Sequence, residues 1–468
     1  MNIIPDLLQS AAQDIAFYGF FFILTLGIVI IIHEFGHYFA ARLCNVHVEK
    51  FSFGFGKEFF GFGRKGQTRW SVGTVPVGGY VQLFGDVDIN NPVVWDHENN
   101  CARTLSQEEL KISYCTKSVW QRIFIVGAGP AINVLFTLIL YIALFSTYGQ
   151  RSYPLEINAV AVNSAAHTAG IKTGDTILTM DGKQIRRLED IYDHTFYEVP
   201  PKPHIYKILR NGEILDIEFA AQHISYTDHK GVSQSHGQTG MVRMGQIELK
   251  HITSINDVST KDNTEKARTL IIRNLDKEIS LGLPFKDEEI HENEPYLITF
   301  PKQYNAHLTD PNHEHFDKAM ALDPDAHYFV RLDPKESVIR TLYWMKTVLI
   351  NSYKLISVAY KGKTDEPVIG GVSKIFLYSA VAVKQGFYDY LMFLGAFSLM
   401  IAIINLLPIP ALDGGYLIFL TYEAIRGKPL SPRIQNAAIV IGLAFLVGIM
   451  IIANVSDLIS LLSPLKSN

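Results

Sequence analysis

Cysteine is scarce in this chain. Only Cys44, Cys101 and Cys115 occur among 468 residues. Three scattered cysteines in a chain of this length exclude a small fold held together by a disulfide framework. All three precede residue 120, in segments assigned below to the cytoplasmic side of a membrane, where thiols stay reduced.

Positive charge is missing from the start of the chain. Residues 1–41 contain Asp6, Asp14 and Glu34 but neither Lys nor Arg. A cleaved secretory signal peptide starts with basic residues, so this beginning does not match one. The alternative is a retained signal anchor in front of a soluble enzyme. The net charge of the whole chain is -4, and this near balance argues against a nucleic-acid partner.

Four long runs contain almost no charge, near residues 16–36, 123–149, 391–412 and 434–455. Each approaches the ~20 residues that a helix needs to cross ~30 Å of hydrocarbon. We therefore predict four membrane-spanning helices, over residues 16–43, 120–149, 387–412 and 434–456.

Basic residues cluster beside these runs and predict their orientation. They follow the first run, precede the second and separate the third from the fourth: Arg42, Lys50, Lys57, Lys111, Lys117, Arg122, Arg426, Lys428 and Arg433. Because Lys and Arg accumulate in cytoplasmic loops, these flanks are predicted to be cytoplasmic. Both termini and residues 150–385 are then predicted to be extracytoplasmic.

The segments between the runs differ in character. Residues 51–86 alternate apolar residues with glycine, which predicts a β-hairpin region. Residues 155–222 combine a short helix with a hairpin turning at Asn211-Gly212, which predicts a compact α+β module. Residues 223–335 are polar, with no clear period or repeat, and no fold is predicted for them. Residues 336–360 predict an amphipathic helix, and residues 368–376 a turn.

The first run ends in "IIIHEFGHYFAAR" (30–42). His33 and His37 are four residues apart, so on a helix they share one face and can bind one metal ion. Glu34 lies beside them as a general base, which completes the H-E-x-x-H pattern of zinc hydrolases. The alternative is a pair of histidines that caps a helix at the lipid interface. A charge at the bilayer centre costs about 2.5–3.5 kcal/mol, which favours a functional role.

A catalytic zinc needs a third protein ligand and one open position. We expect Asp413 in "NLLPIPALDGGYLIF" (405–419) to supply it, because no other acid lies between Asp389 and Glu423. Pro408 and Pro410 break the helix before it, which is tolerated at membrane depth only beside protein or a water cavity. The alternative is a helix-capping aspartate. Asp86 and Asp88 are weaker ligand candidates because they end the hairpin region.

Three motifs, "HEFGHYFAAR", "GAGPAIN" (127–133) and "NLLPIPALDGG", resemble the site-2 protease family of intramembrane zinc metalloproteases. The nearest resemblance is to bacterial regulator-of-sigma-E proteases, which carry a periplasmic PDZ domain. It covers residues 17–150, 155–222 and 336–460. It implies a polytopic α-helical membrane protein with a membrane-associated β-hairpin region and an extracytoplasmic α+β PDZ-like domain, in the bacterial inner membrane.

The resemblance also assigns roles to residues. It implies that His33, His37 and Asp413 bind Zn²⁺ and that Glu34 is the catalytic base. It further implies that substrate binding involves Asn405, Pro408 and Pro410, that substrate adds to the 51–86 region as a strand, and that site packing involves Gly129, Pro130 and Asn133. The expected partners are the lipid bilayer and transmembrane protein substrates, such as an anti-sigma factor after a first cleavage, or remnant signal peptides.

The chain departs from the family pattern in three places. Only one PDZ-like module is recognisable where relatives often have two, so residues 223–335 are either an insertion or a second module too diverged to read. Val372 and Ala165 stand where proline is usual. Two other functions compete with proteolysis: a non-enzymatic PDZ-bearing membrane scaffold with a relic H-E-x-x-H, and a transporter. The transporter predicts paired repeats between the halves of the chain, and the sequence shows none.

Overall fold

The computed structural model describes residues 3–64, 66–86, 93–96, 101–195, 198, 200–227, 233–283, 295–313, 315–323, 326–361 and 372–462. The chain divides into two compact units. The first contains the chain up to Tyr148 and from Leu332 onward, and the second is Gly149–Arg331. The start of the predicted turn at 368–376 and the candidate Asp88 lie outside the described residues.

The described residues contain eleven α-helices. In chain order these are α1 Ile3–Leu43, α2 Gln107–Ile112, α3 Val119–Thr147, α4 Ala165–Thr168, α5 Leu188–Thr195, α6 Thr264–Arg273, α7 Pro334–Lys361, α8 Val372–Gln385, α9 Phe387–Asn405, α10 Asp413–Arg426 and α11 Pro432–Leu462.

Four helical segments are long and apolar enough to cross a membrane: Ala16–Leu43, Val119–Thr147, Phe387–Asn405 and Pro432–Val455. The four predicted spans are therefore present as candidate spans. The third was expected to continue to residue 412 but ends at Asn405. Proline lacks the backbone N–H that continues a helix, and Pro408 and Pro410 follow directly.

Small residues and buried hydroxyl groups join the helices of the first unit. A Cβ on Gly36 of α1 would overlap the carbonyl oxygen of Ala128 in α3, so glycine permits this close approach, as is common between helices in membranes. The hydroxyl of Thr137 in α3 donates to Gly395 O of α9 at 2.9 Å. Ser398 of α9 donates to Asn133 O at 3.2 Å. The helices α1, α3 and α9 thus form the frame that carries the site.

The hairpin region is folded back on itself. It contains β1 (Val48–Phe62) and β2 (Arg69–Leu83), joined as antiparallel partners. Residues 48–53 pair with 79–83 on one side, and residues 50–53 pair with 69–72 on the other. Residues 58–62 pair with 70–73. Residues 79–83 are therefore an edge, with no strand on their outer side in the described part of the chain. Two short strands, β3 (Val93–Asp96) and β4 (Cys101–Thr104), pair separately.

The second unit is built from sixteen further described strands. In chain order these are β5 Gln150–Ser152, β6 Ala159–Ala161, β7 Thr176–Met180, β8 Lys183–Gln184, β9 Pro203–Arg210, β10 Glu213–Ala220, β11 Gln222–Thr227, β12 Ser233–Gln238, β13 Met241–Val242, β14 Gln246–Glu248, β15 Ser254–Ile255, β16 Val258–Ser259, β17 Glu278–Gly282, β18 Tyr296–Thr299, β19 Lys318–Met320 and β20 Tyr328–Val330.

The segment predicted as an α+β module forms a four-stranded antiparallel sheet in the order β10-β9-β7-β8, with α5 between β8 and β9 in the chain. Its core contains Ile177, Ile191, Tyr206 and Ile208, each at most 1% exposed. The alternation of buried and exposed residues along β9 is the pattern expected of a strand with one solvated face.

Residues 223–335, for which the sequence predicted no fold, contain a second α+β module. Its strands lie in the order β18-β17-β15-β16, with α6 between β16 and β17, so order and helix position repeat those of the first module. The sequence concealed the repeat because β15 and β16 have only two residues each, too few to show alternation. Strand β6 pairs with β18, which ties the two modules together.

Candidate metal centre

Helix α1 places the three predicted residues of the first motif at one site. His33 and His37 lie one helical turn apart with their rings 4.9 Å apart between centroids. Their Nε2 atoms are 3.3 Å apart. His33 is 8% exposed, so the pair lies inside the unit and does not cap a helix at its surface.

Asp413, which is distant in sequence, completes the group. Its Oδ2 atom lies 3.1 Å from His33 Nε2 and 3.5 Å from His37 Nε2. Among the described residues, His33, His37 and Asp413 form a group whose ligand atoms all lie within 4.8 Å of one another. The sequence-based prediction that His33, His37 and Asp413 share one location agrees with this geometry.

The loop between α9 and α10 directs Asp413 to the histidines. Asp413 is the first residue of α10, where the positive end of the helix dipole favours a carboxylate. Ala411 has φ +88°, a conformation that costs free energy for any residue with a Cβ. A Cβ on Gly415 would lie 2.5 Å from Ile409 O. The Gly-Gly pair thus lets α10 start tightly against the proline-containing loop.

Helix α3 orients both histidines from behind. His37 Nδ1 donates to the backbone carbonyl of Ile125 at 2.9 Å. The side-chain amide of Asn133 lies 3.4 Å from His33 Nδ1, and its oxygen has no hydrogen-bond partner in the described part of the chain. A half-turn of that amide would present the oxygen to an Nδ1 proton. Such contacts hold a metal-binding imidazole with Nε2 facing the ion.

Gly129 gives the imidazoles their space. A Cβ at this position would lie 2.5 Å from His37 Cε1 and 2.9 Å from His33 Cε1. Together with the buried Pro130 and Asn133, Gly129 forms the wall of α3 behind the candidate metal-binding group, which consists of His33, His37 and Asp413 and is called the metal-binding group below. The packing role expected for these three residues agrees with their position.

The donor set fits zinc. A tetrahedral zinc with bonds of about 2.0–2.2 Å has ligand atoms about 3.3–3.6 Å apart, close to the 3.1, 3.3 and 3.5 Å observed. Asp413 Oδ2 is buried but makes no hydrogen bond of acceptable geometry with any described residue, despite its closeness to both rings. A buried carboxylate oxygen without a hydrogen-bond partner, beside two imidazole nitrogens, is an arrangement that a cation satisfies.

A cavity of about 750 Å³ adjoins the metal-binding group, and Glu34, His37 and Asp413 line it. The Glu34 side chain forms no hydrogen bond or ion pair among the described residues, so it is available to water. A Cβ on Gly79 would lie 3.1 Å from Glu34 Cγ. The edge formed by residues 79–83 therefore runs directly beside Glu34.

One ion pair at this cavity was missed by the sequence analysis. The guanidinium of Arg122 in α3 contacts both carboxylate oxygens of Glu423 in α10, at 3.1 and 2.5 Å. Their side chains are 14% and 16% exposed. Arg122 was interpreted only as a basic flank of the second span, and no pattern connects two residues so far apart in sequence. The Ile125 carbonyl was missed too, because backbone groups leave no mark on a sequence.

The other candidates are less closely associated with the metal-binding group. Asn405 is the last residue of α9, and Pro408 and Pro410 lie in the break before α10. None of the three lines the cavity that contains Glu34. Asp86 does line that cavity, but it is not part of the group of converging ligand atoms.

The sequence of this chain aligns with relatives over nearly their whole length. A "Putative zinc metalloprotease" of Agrobacterium fabrum is 26% identical over 441 residues, covering 94% of this chain and 95% of the relative. A protein of the same description from Rickettsia conorii is 27% identical, covering 94% and 98%. A "Regulator of sigma E protease" of Haemophilus influenzae is 26% identical, also covering 94% and 98%.

The model of peptidase family M50 matches residues 21–449, a range that includes the four candidate spans almost entirely, the second unit and every residue of the metal-binding group. The chain therefore belongs to peptidase family M50, the site-2 proteases, and is a zinc metalloprotease.

Proposed function

We propose that this protein is an intramembrane protease of the bacterial inner membrane that hydrolyses peptide bonds within transmembrane segments of single-span membrane proteins. The observation that carries the proposal is the convergence of His33, His37 and Asp413 on one point within the membrane part of the chain. The named relative from Haemophilus influenzae supports a substrate such as an anti-sigma factor after a first cleavage. Remnant signal peptides are a second such substrate.

In this proposal His33 and His37 bind zinc through Nε2, and Asp413 binds it through Oδ2. When bound, the ion acts as a Lewis acid that polarises the scissile carbonyl group. Glu34 takes a proton from the attacking water and gives it to the leaving amine. The unpaired state of the Glu34 carboxylate among the described residues, and its place in the cavity, suit a group that must exchange protons with water and substrate.

A helical substrate must be unwound before it is cleaved, because its carbonyl groups are held in hydrogen bonds within the helix. In lipid each freed backbone group costs several kcal/mol unless it pairs again. The unpaired edge of residues 79–83 can supply those partners by strand addition. Val81 and Leu83 on this edge line the same cavity as Glu34, which supports delivery of an extended substrate to the site.

We assign the second unit to the extracytoplasmic side as a tandem pair of PDZ-like modules, supported by the repeated strand order. In this role the pair excludes substrates with bulky extracytoplasmic domains until another protease has trimmed them. The competing role is recruitment by binding a peptide end. The exclusion role predicts that removal of the unit permits cleavage of untrimmed substrates.

The structure suggests where to make that deletion. Because β6 of the first module pairs with β18 of the second, deleting residues 155–222 alone would disrupt both modules. Removing residues 149–331 spares the first unit, since Leu332 N donates to Phe145 O at 3.1 Å and a short Gly-Ser linker can join the ends. Unchanged selectivity of this variant would contradict exclusion.

Two substitutions, tested in purified protein, distinguish a protease from a non-enzymatic scaffold. Glu34→Gln should retain bound zinc and abolish cleavage of a transmembrane substrate, whereas Asp413→Ala should lose both. Glu108→Gln, which changes an exposed acid of α2, is the matched control and should do neither. Proteolysis that persists in Glu34→Gln, or zinc content that is the same in Asp413→Ala as in wild type, would support the scaffold instead.

A further inference from the structure

The cavity beside the metal-binding group is lined by more charged side chains than the proposed peptide hydrolysis requires. Its walls come from α1, the end of β2 with Asp86 just after it, the segment from Tyr114 to Val126, and residues between Asp413 and Ile439. The Asp, Glu, Lys, Arg and His residues that line it are Glu34, His37, Asp86, Arg122, Asp413 and Glu423.

Among these described residues, each charged side chain except Asp86 can be matched with an opposite charge. Arg122 and Glu423 neutralise each other in their two-point ion pair. The carboxylates of Glu34 and Asp413 are offset by the divalent ion that the site fits. Among the described residues that line the cavity, only Asp86 is not paired with an opposite charge. With a divalent ion in the site, these residues therefore have a net charge of one negative unit, located at Asp86.

Asp86 makes no hydrogen bond or ion pair in the part of the chain that the structure describes. Its side chain is exposed and opens to water through the cavity, yet protein surrounds it closely enough that burial raises the pKa of its carboxyl group, which nearby Arg122 only partly offsets. The negative charge of the ionised Asp86 carboxylate therefore has no positively charged partner among the described residues. A cation that enters the cavity would be such a partner.

We propose that Asp86 is a specificity-determining residue that pairs with a Lys or Arg flanking the scissile segment of the substrate. This inference rests on the proposed proteolytic function. Transmembrane segments carry Lys and Arg on their cytoplasmic side. The cavity is walled by segments that bear this chain's own basic flanks, around Lys117 and Lys428, so it faces the side on which substrates are basic. Asp86 thus selects for the flank that a correctly oriented substrate presents.

A charge exchange tests the pairing. A single-span substrate with a Lys flank is compared with versions in which Gln or Glu replaces that Lys. For the wild type, kcat/KM should be about tenfold higher with Lys than with Gln, as for a partly desolvated charge pair. Asp86→Asn should remove the difference, and Asp86→Lys should prefer the Glu substrate. Higher salt should shrink the wild-type preference, and Glu108→Gln should leave it unchanged.

A binding measurement keeps this test separate from the proposed catalysis. In a Glu34→Gln background, the affinity for fluorescent Lys-flank and Gln-flank peptides in detergent does not depend on turnover. The Lys-flank peptide should bind more tightly, and Asp86→Asn should abolish that preference while zinc content stays at the wild-type level. If proteins with and without the Asp86 carboxylate prefer the Lys-flank peptide over the Gln-flank peptide to the same extent, the proposal is wrong. This outcome is independent of whether the enzyme cleaves.

Discussion

At the scale of single residues, the metal centre depends on the absence of a side chain at Gly129. Gly129→Ala should weaken zinc binding by about 10–100-fold, the range found when groups around metal ligands are altered, because the new methyl group would displace the imidazole of His37. Competition with a chelator of known affinity measures the effect. Gly127→Ala is the control, because Gly127 lies on the same helix and a Cβ there would have nothing within 4 Å. This variant should bind zinc as the wild type does. An equal loss of zinc affinity in the two variants would show an effect on the whole helix and contradict the role of Gly129.

A second effect at this scale concerns a titrating residue in the second unit. His204 lies 2.7 Å from Asp181 and 2.8 Å from Glu198. Burial lowers the pKa of His204, but the bonds to the two carboxylates together outweigh it and raise the pKa above 6.5. The bond from His204 lowers the pKa of Asp181.

The sign of the pH dependence follows from these shifts. The His204 contribution to stability is complete below pH 6.5 and is lost as pH rises through the raised pKa. The unfolding temperature of the second unit should therefore fall above pH 6.5, and His204→Gln should flatten this fall. The Asp181 contribution is lost at acidic pH, as pH falls through the lowered pKa. Calorimetry from pH 2 to 9 measures both, and parallel curves for the two proteins would contradict the assignment.

At the scale of elements, the Arg122–Glu423 pair holds α10 against α3, and α10 begins with Asp413, the proposed third metal ligand. Arg122→Met should destabilise the first unit by about 3–5 kcal/mol, because it leaves Glu423 as an unpaired, mostly buried charge. The double variant Arg122→Met with Glu423→Met should recover much of that loss. A double-mutant cycle on unfolding in detergent gives the coupling free energy, and additive effects of the two changes would contradict the role of the pair.

At the scale of the whole molecule, four spans predict that the second unit and both termini lie outside the cytoplasm. The exposed Lys183 and Lys428 can each be changed to cysteine in a chain whose three natural cysteines are replaced. In intact cells with a permeable outer membrane, a thiol reagent that does not cross the inner membrane should label Lys183→Cys and spare Lys428→Cys. After lysis both should react. Early labelling of Lys428→Cys would contradict the orientation.

The sequence by itself determined the spans and the chemistry. A membrane span is recognisable because the bilayer demands about 20 apolar residues in succession, and the helical repeat alone puts His33 and His37 on one face. Asp413 could be predicted because an acid after an apolar, proline-broken run is rare and costly unless it is used.

Only the tertiary structure decided how α3 supports the site and how the second unit is built. The space at Gly129, the Ile125 carbonyl and the Arg122–Glu423 pair depend on helices that meet across long separations in the chain, and such contacts leave no local period to detect. The second module was likewise invisible in sequence, because its short strands are stabilised by pairing with β6 and with one another. The residue pattern of a segment reflects whether lipid, water or protein surrounds it. Which other segments it contacts is decided by packing in the folded chain.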